Sequence, residues 1–255
     1  MKILAIEASG LTAGCGVAED GKLLGEYNLQ YRKTHSQTLV PMLEELKETL
    51  DLDLASIDVI AVTKGPGSFT GLRIGAATAK GIALALNKPI LPVSTLESLA
   101  FNAYGTQKLV CPIMDARRQQ VYTGIYREDG QPECLRQPCA ASIEELLEDL
   151  NQRGEAVFFV GDGVPVYREL ITEKAAVPVS FAPAHMLTQR AAATAVLAGL
   201  LLEKEGEGCL ISADDFRPEY LRKSQAERQK DEAMASGHMD SLAAGRLLRD
   251  LAQSR

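Results

Sequence analysis

One stretch of the sequence decides the fold: Gly65-Pro66-Gly67-Ser68-Phe69-Thr70-Gly71-Leu72-Arg73-Ile74-Gly75. An apolar, β-branched run over residues 57–63 precedes it and predicts a buried strand. Residues 72–86 follow and predict a helix. A strand, a glycine-rich loop and a helix in this order direct backbone N–H groups and a helix N-terminus to one point, where an anion can bind.

The spacing within this loop differs from that of the common phosphate-binding loops. The dinucleotide fingerprint needs a glycine where Thr70 stands, and the Walker loop needs Gly-Lys-Ser/Thr where Gly71 is followed by Leu72-Arg73. Ser68 does not lie in a Gly-x-Ser-x-Gly elbow. We therefore predict that Ser68 caps the following helix rather than acting as a nucleophile.

The helix behind the loop carries small residues at every fourth position: Gly71, Gly75, Ala79 and Ala83. Glycine inside a helix costs about 1 kcal/mol relative to alanine, so this face needs a compensating contact. Two interpretations fit: close packing against the chain's own core, or a docking face for a second chain. The preceding helix carries a leucine stripe at positions 39, 43, 46 and 50, for which core packing is the default.

Composition excludes several classes of protein. The chain has 255 residues, 46% hydrophobic and 24% charged, with a net charge of −7, so a broad basic face for RNA is not expected. Five cysteines with no CxxC pair indicate reduced thiols and neither a disulfide framework nor a zinc site. The longest apolar stretch, residues 191–202, is too short to span a bilayer. We expect a cytoplasmic protein.

The predicted elements follow the order β-β-β-α-β-α, and the second half of the chain repeats this order more loosely. Lys2 to Ile6, residues 14–18 and residues 22–29 form the first three strands, with Asp20-Gly21 as a hairpin turn. In the second half, Ser142 is predicted to cap a helix that runs to Leu150, and residues 186–204 are predicted to form a long helix. We expect an α/β protein with an N-terminal lobe over residues 1–103, a degenerate C-terminal lobe over 104–222 and a polar tail over 223–255. Such a duplication is typical of the two-lobed actin/Hsp70/sugar-kinase (ASKHA) superfamily.

The loop and two further segments resemble the TsaB (YeaZ) family, the dimerisation subunits of the bacterial complex that forms threonylcarbamoyladenosine in tRNA. The further segments are Asp115-Ala116-Arg117-Arg118 and Arg217-Pro218-Glu219-Tyr220-Leu221-Arg222. The resemblance covers about residues 1–222. It implies a non-catalytic subunit with no catalytic residue of its own, required for modification of adenosine 37 in tRNAs reading codons that begin with A.

The resemblance also implies partners. The chain would bind and activate the catalytic subunit TsaD as a heterodimer, together with the ATPase TsaE, would form a homodimer when alone, and would meet tRNA only through the complex. ATP and metal would belong to the partners, so no cofactor is expected here. The implied interface lies on the two helices of the first lobe: Leu39, Met42, Leu43, Leu46, Gly71, Ile74, Gly75, Thr78, Ala79 and Ile82.

A degenerate nucleotide cleft is the second candidate site. Kinases of the superfamily open with an acidic residue and a Gly/Thr turn, and here that place holds Glu7, Ser9 and Gly10. Glutamate is longer than the usual aspartate, so a magnesium-bridged phosphate site is not favoured. The alternative function is a stand-alone ATP-dependent phosphotransferase, which tight magnesium-dependent ATP binding would support.

No metal site is predicted. The three histidines are His35, His185 and His238, and none lies four residues from another, as a helical metal pair requires. We interpret His35 as a surface or capping residue. A metalloprotease, a third hypothesis, therefore lacks ligands. We interpret Asp115-Ala116-Arg117-Arg118 as a turn with a structural ion pair; the alternative is that Arg117 or Arg118 faces a ligand or a partner.

Overall fold

The computed structural model describes residues 1–31, 33–117, 119–129 and 132–222. Met1–Glu219 forms one compact unit, and the second unit begins at Tyr220. The tail predicted over 223–255 lies outside the described residues.

The first half contains a five-stranded sheet in the order β3-β2-β1-β4-β5. Its strands are β1 (Lys2–Glu7), β2 (Ala13–Glu19), β3 (Lys22–Leu29), β4 (Val59–Gly65) and β5 (Ile90–Ser94). β2 runs antiparallel to β1 and β3, whereas β1, β4 and β5 are parallel. The helices of this half are α1 (His35–Thr49), α2 (Phe69–Leu86) and α3 (Thr95–Phe101).

The second half repeats this sheet in the order β10-β9-β6-β7-β8. Its strands are β6 (Leu109–Asp115), β7 (Gln120–Arg127), β8 (Glu133–Ser142), β9 (Val157–Val160) and β10 (Val179–Phe181). The directions match those of the first sheet, with β7 antiparallel to β6 and β8, and β6, β9 and β10 parallel. The helices are α4 (Ile143–Arg153), α5 (Val164–Lys174) and α6 (Ala191–Glu205). The predicted duplicated α/β fold is confirmed.

Alternation along β1 explains why the first sheet has helices on both faces. Leu4 and Ile6 are buried in the cluster under α1 and α2, whereas Ile3 and Ala5 are buried in the cluster that includes α6. A strand buried on both faces reads as a continuous apolar run because successive side chains point to opposite sides.

The final helix, α6, packs against β1, β2 and β3 of the first sheet, although it lies in the range predicted for the second lobe. Its first turn fits closely there because a Cβ on Gly16 would lie 3.3 Å from the Ala191 backbone. The lobe boundaries at residues 103 and 222 stay predictions.

Several element bounds differ from the sequence expectations. α1 begins at His35 and contains Pro41, so the helix starts earlier than its leucine stripe suggests. α6 begins at Ala191 rather than near Met186. The short helix α3 was not predicted, because its seven residues are too few to show an amphipathic period.

Two predicted helix caps are confirmed. Ser68 Oγ accepts a hydrogen bond from Gly71 N–H at 3.3 Å, and Ser142 Oγ accepts one from Glu145 N–H at 3.1 Å. Each bond satisfies one of the N–H groups that a helix N-terminus leaves without an intrahelical partner. Local sequence therefore fixes where α2 and α4 begin.

Candidate functional site

The N-terminal end of α2 lies against the turn that follows β1. Ser68 N–H donates to the Ser9 carbonyl at 2.7 Å. A Cβ on Gly67 would overlap the Ser9 carbonyl, and a Cβ on Gly71 would overlap the Ala8 carbonyl. The glycines therefore permit a close backbone contact, and carbonyl oxygens occupy the place beside the helix N-terminus. This arrangement favours a packing role for the loop over an anion-binding role.

The residues of the candidate nucleotide cleft lie in the turn after β1, and other protein groups pack against them. Glu7 is fully buried, and its Oε1 accepts hydrogen bonds from Ser9 N–H at 2.7 Å and from Ser9 Oγ at 2.5 Å. A Cβ on Gly10 would overlap the Gln189 side chain, which is 1% exposed. Glu7, Ser9 and Gly10 thus lie together, as predicted, but they face protein groups.

Burial controls the ionisation of Glu7. The loss of solvation raises the pKa of its carboxyl to about 7, and the hydrogen bonds from Ser9 oppose that rise. In this structure the Glu7 carboxyl is therefore buried and bonded to Ser9 rather than exposed to a ligand.

His35 connects α1 to the same turn. Its Nε2 donates a hydrogen bond to the Gly10 carbonyl at 3.0 Å. Its ring also lies beside α2, since a Cβ on Gly71 would be 3.4 Å from the imidazole Cδ2. His35 is half-buried at the first turn of α1, where the sequence predicted a surface or capping residue, and its bond joins that turn to the segment after β1.

The ten predicted interface residues divide into two groups. The first group is buried in the chain's own first lobe and consists of Leu39, Leu46, Gly71, Gly75 and Ala79. The second group is partly exposed and consists of Met42, Leu43, Ile74, Thr78 and Ile82. The small-residue stripe therefore packs against the sheet, where a Cβ on Gly75 would lie 3.2 Å from Ala8 Cβ. Of the two interpretations of that stripe, the burial of Gly71, Gly75 and Ala79 favours core packing.

Three residues of the partly exposed group, Leu43, Thr78 and Ile82, line a groove between α1 and α2 with a volume of about 280 Å³. Val40, Leu43, Lys47, Ala77, Thr78, Gly81 and Ile82 are among the residues that line it. Val40 is half-exposed at 50%, and Ala77 and Gly81 are exposed. Sequence reasoning missed Val40, Ala77 and Gly81, because the stripes selected the residues that face the sheet and not those that face away from it.

Gly81 is the glycine of α2 whose surroundings are open. A Cβ placed there would meet nothing within 4 Å, in contrast to Gly71 and Gly75. Glycine weakens a helix, so its presence within α2 needs a reason. Packing inside the described unit does not supply one, because Gly81 is exposed and its surroundings are open. The flat surface that it leaves lets another helix approach the groove closely.

The described residues of the predicted motif, Asp115 to Arg117, lead from the end of β6 into the connection to β7. Asp115 Oδ1 accepts a hydrogen bond from Arg117 N–H at 2.8 Å, and Arg117 has a positive φ of 61°. Asp115 N–H donates to Asp162 Oδ1 at 3.2 Å, and burial raises the pKa of Asp162 to about 6. The described part of the motif is therefore an Asx-type turn, and Arg118 lies outside the described residues.

Two further classes of site are absent from the described residues. In that part of the chain, no cluster of three or more His, Cys, Asp or Glu side chains has the arrangement needed to hold a metal ion. Likewise, none of the helices described here is both long and apolar enough to cross a membrane.

Comparison with known proteins identifies relatives of the whole unit. Residues 23–230 match the family model described as TsaD, tRNA N6-adenosine threonylcarbamoyltransferase. The chain is 33% identical over 228 residues to the tRNA threonylcarbamoyladenosine biosynthesis protein TsaB of Bacillus subtilis, covering 89% of this chain and 96% of that protein. It is 32% identical to the TsaB of Haemophilus influenzae, covering 68% of this chain and 77% of the relative.

Solved structures agree with these relatives. The structure of YeaZ from Pseudomonas aeruginosa superposes with a TM-score of 0.71 at 27% identity, covering 86% of this chain and 99% of that one. A second Pseudomonas aeruginosa structure, described as similar to peptidase YEAZ, gives a TM-score of 0.72 at 28% identity.

Proposed function

The chain belongs to the TsaB (YeaZ) family, and from this premise we propose that it is a non-catalytic subunit in the biosynthesis of threonylcarbamoyladenosine in tRNA. The observation that carries the proposal is the groove between α1 and α2. Its lining is mostly apolar, it runs between the two helices down to Leu4 of β1, and no other group lies within 4 Å of a Cβ placed at Gly81. Core-like apolar surface at a glycine-assisted helix pair suits a protein interface.

The partner proposed for this groove is TsaD. Met42, Leu43, Ile74, Thr78 and Ile82 would form the contact, because they are the predicted interface residues that reach the surface. When the chain is alone, the same face would bind a second copy, since self-complementary patches form two-fold dimers. The buried residues Leu39, Leu46, Gly71, Gly75 and Ala79 would act indirectly, by holding the helices in place.

The chemistry in this proposal belongs to the partner subunits. TsaD would transfer the threonylcarbamoyl group to adenosine 37 of tRNAs reading codons that begin with A, and TsaE would supply the ATPase step. ATP and metal would be bound by those partners. The net charge of −7 agrees with a subunit that meets tRNA through the complex, because a phosphate-binding surface needs an excess of basic residues.

The test is reconstitution of threonylcarbamoyl transfer with TsaD and TsaE, with and without this chain, comparing wild type with Gly81→Arg. Arginine is a good helix former, so this variant should keep the fold while filling the groove. We expect transfer to require the wild-type chain, and Gly81→Arg to lose both transfer and co-elution with TsaD. The matched control is Gly208→Arg, which places the same side chain at an exposed glycine with open surroundings outside α1 and α2.

Two outcomes would overturn the proposal. Transfer by this chain without TsaD would make it an enzyme and return attention to Glu7 and Ser9. Unchanged TsaD binding by Gly81→Arg would move the interface away from the groove.

A further inference from the structure

A strap, defined here as residues 210–219, begins at the β5 edge of the first sheet after α6 and ends beside the central loop. At its start, Ile211 extends the sheet, because the Ile90 and Ile211 backbones exchange two hydrogen bonds of 2.9 Å each. Further along, Phe216 is 1% exposed and lies in the same core cluster as the buried face of α2. The strap is therefore part of the first lobe although it is distant from it in sequence.

The strap is bonded to the middle of α2 through one side chain. Lys80 Nζ donates to the Phe216 carbonyl at 3.3 Å and lies 3.5 Å from the Asp214 carbonyl. These carbonyls are presented by a tight turn in which Asp215 N–H donates to Ser212 Oγ at 3.1 Å. A charged donor bonded to backbone carbonyls gives a stronger link than a neutral one.

The end of the strap is bonded to the strand that leads into α2. Glu219 N–H donates to the Lys64 carbonyl at 2.7 Å, and Lys64 Nζ lies 2.9 Å from Glu219 Oε1. Glycine is required at position 65 for two reasons. A Cβ there would overlap the Glu219 carbonyl, and the φ of 127° is a backbone conformation that other residues rarely adopt. The first glycine of the central loop is thus explained by the strap.

We infer that the strap is a positioning element for α2: it holds this helix at its middle and at its entry, and so sets the pose in which Ile74, Thr78 and Ile82 meet a partner. The inference rests on the proposed function of the groove. Lys80 links the strap to the middle of α2, because its backbone belongs to the helix and its ammonium group bonds to the strap. Binding is tighter when the bound arrangement already exists in the free protein.

The test compares Lys80→Met with Lys80→Arg in the full chain. Methionine keeps an apolar stem and removes both donated bonds, whereas arginine can donate to the same carbonyls. Lys88→Met removes the same charge just after α2 and leaves the strap bonds intact. We expect Lys80→Met to weaken TsaD binding by about fivefold or more, and Lys80→Arg and Lys88→Met to stay near wild type in calorimetric titration.

A second readout separates positioning from general stability. In the free chain, Lys80→Met should speed amide hydrogen exchange over residues 72–80 and at Ile90, while exchange of the second sheet stays unchanged. Equal TsaD affinity for Lys80→Met and wild type would overturn the inference. If wild type itself does not bind TsaD, the proposed function fails instead, and unchanged exchange in α2 would then overturn the strap inference independently.

Discussion

Single glycines in the central loop have separate structural reasons. Gly65 faces the Glu219 carbonyl, Gly67 the Ser9 carbonyl and Gly71 the Ala8 carbonyl. In each case the neighbouring atom belongs to the backbone, which cannot move aside as a flexible side chain can. The motif is thus a set of three backbone contacts around the first residues of α2.

Gly71→Ala should destabilise the free chain by roughly 2 kcal/mol or more, because the added methyl overlaps the Ala8 carbonyl. Gly81→Ala, in the same helix, should instead be neutral or stabilise by up to about 1 kcal/mol. Urea unfolding of both variants measures this difference. Equal unfolding free energies for Gly71→Ala and Gly81→Ala would show that the turn after β1 can shift enough to accommodate the added methyl group.

Glu128 is the residue whose charge should control the pH dependence of stability. Its side chain is fully buried, neither carboxyl oxygen has a hydrogen-bond partner among the described residues, and burial, with Glu97 nearby, raises its pKa to about 8. The folded state therefore retains a proton that the unfolded state releases near pH 4.5. The stabilisation from this proton is complete below that pH and is lost as the pH rises to about 8.

Between pH 6 and pH 9, wild type should lose about 2 kcal/mol more unfolding free energy than Glu128→Gln, which cannot ionise. Urea titrations at both pH values measure the two losses. Glu7, with a pKa raised to about 7, contributes a loss of the same sign to both proteins. Parallel losses in wild type and variant would mean that Glu128 is already ionised at pH 6.

At the scale of elements, α2 has two faces with different roles. Gly71, Gly75, Ala79 and Ala83 are buried against the sheet, whereas Ala77, Gly81 and Leu84 face outward. Small residues on the inner face let the helix axis approach the sheet closely, and this explains the four-residue spacing. The outer face is the one available to a partner.

Gly75→Leu distinguishes these faces experimentally. Because a Cβ at this position already lies 3.2 Å from Ala8 Cβ, leucine should overpack the core and cost about 1–3 kcal/mol or more. Thermal unfolding of the isolated chain should show a lower midpoint. An unchanged midpoint combined with lost TsaD binding would mean that this face, and not the groove, contacts the partner.

At the scale of the whole molecule, the first lobe carries the open groove between α1 and α2. We expect this groove to decide the oligomeric state. We expect the isolated chain to form a homodimer through α1 and α2, so its sedimentation coefficient and its thermal midpoint should rise with protein concentration. Gly81→Arg should sediment as a monomer at every concentration, and Gly208→Arg should behave as wild type. A dimer that persists in Gly81→Arg would place the homodimer contact elsewhere.

The sequence by itself determined the duplicated order of elements, the loop from Gly65 to Gly75 and the caps at Ser68 and Ser142. These features depend on local periodicity, on turn chemistry and on hydrogen bonds between near neighbours, all of which can be read within a few residues. The family resemblance to TsaB was likewise carried by contiguous residues.

Only the tertiary structure decided which face of each helix is inside. Leu39 and Gly75 lie on apolar stripes that fitted either core packing or a partner interface, and both are buried within the first lobe. A stripe identifies an apolar face without saying what covers it. The contacts of Gly10 with Gln189 and of Lys80 with the strap join residues 179 and 136 positions apart. Such contacts depend on the packing of distant segments, and no local pattern in the sequence records them.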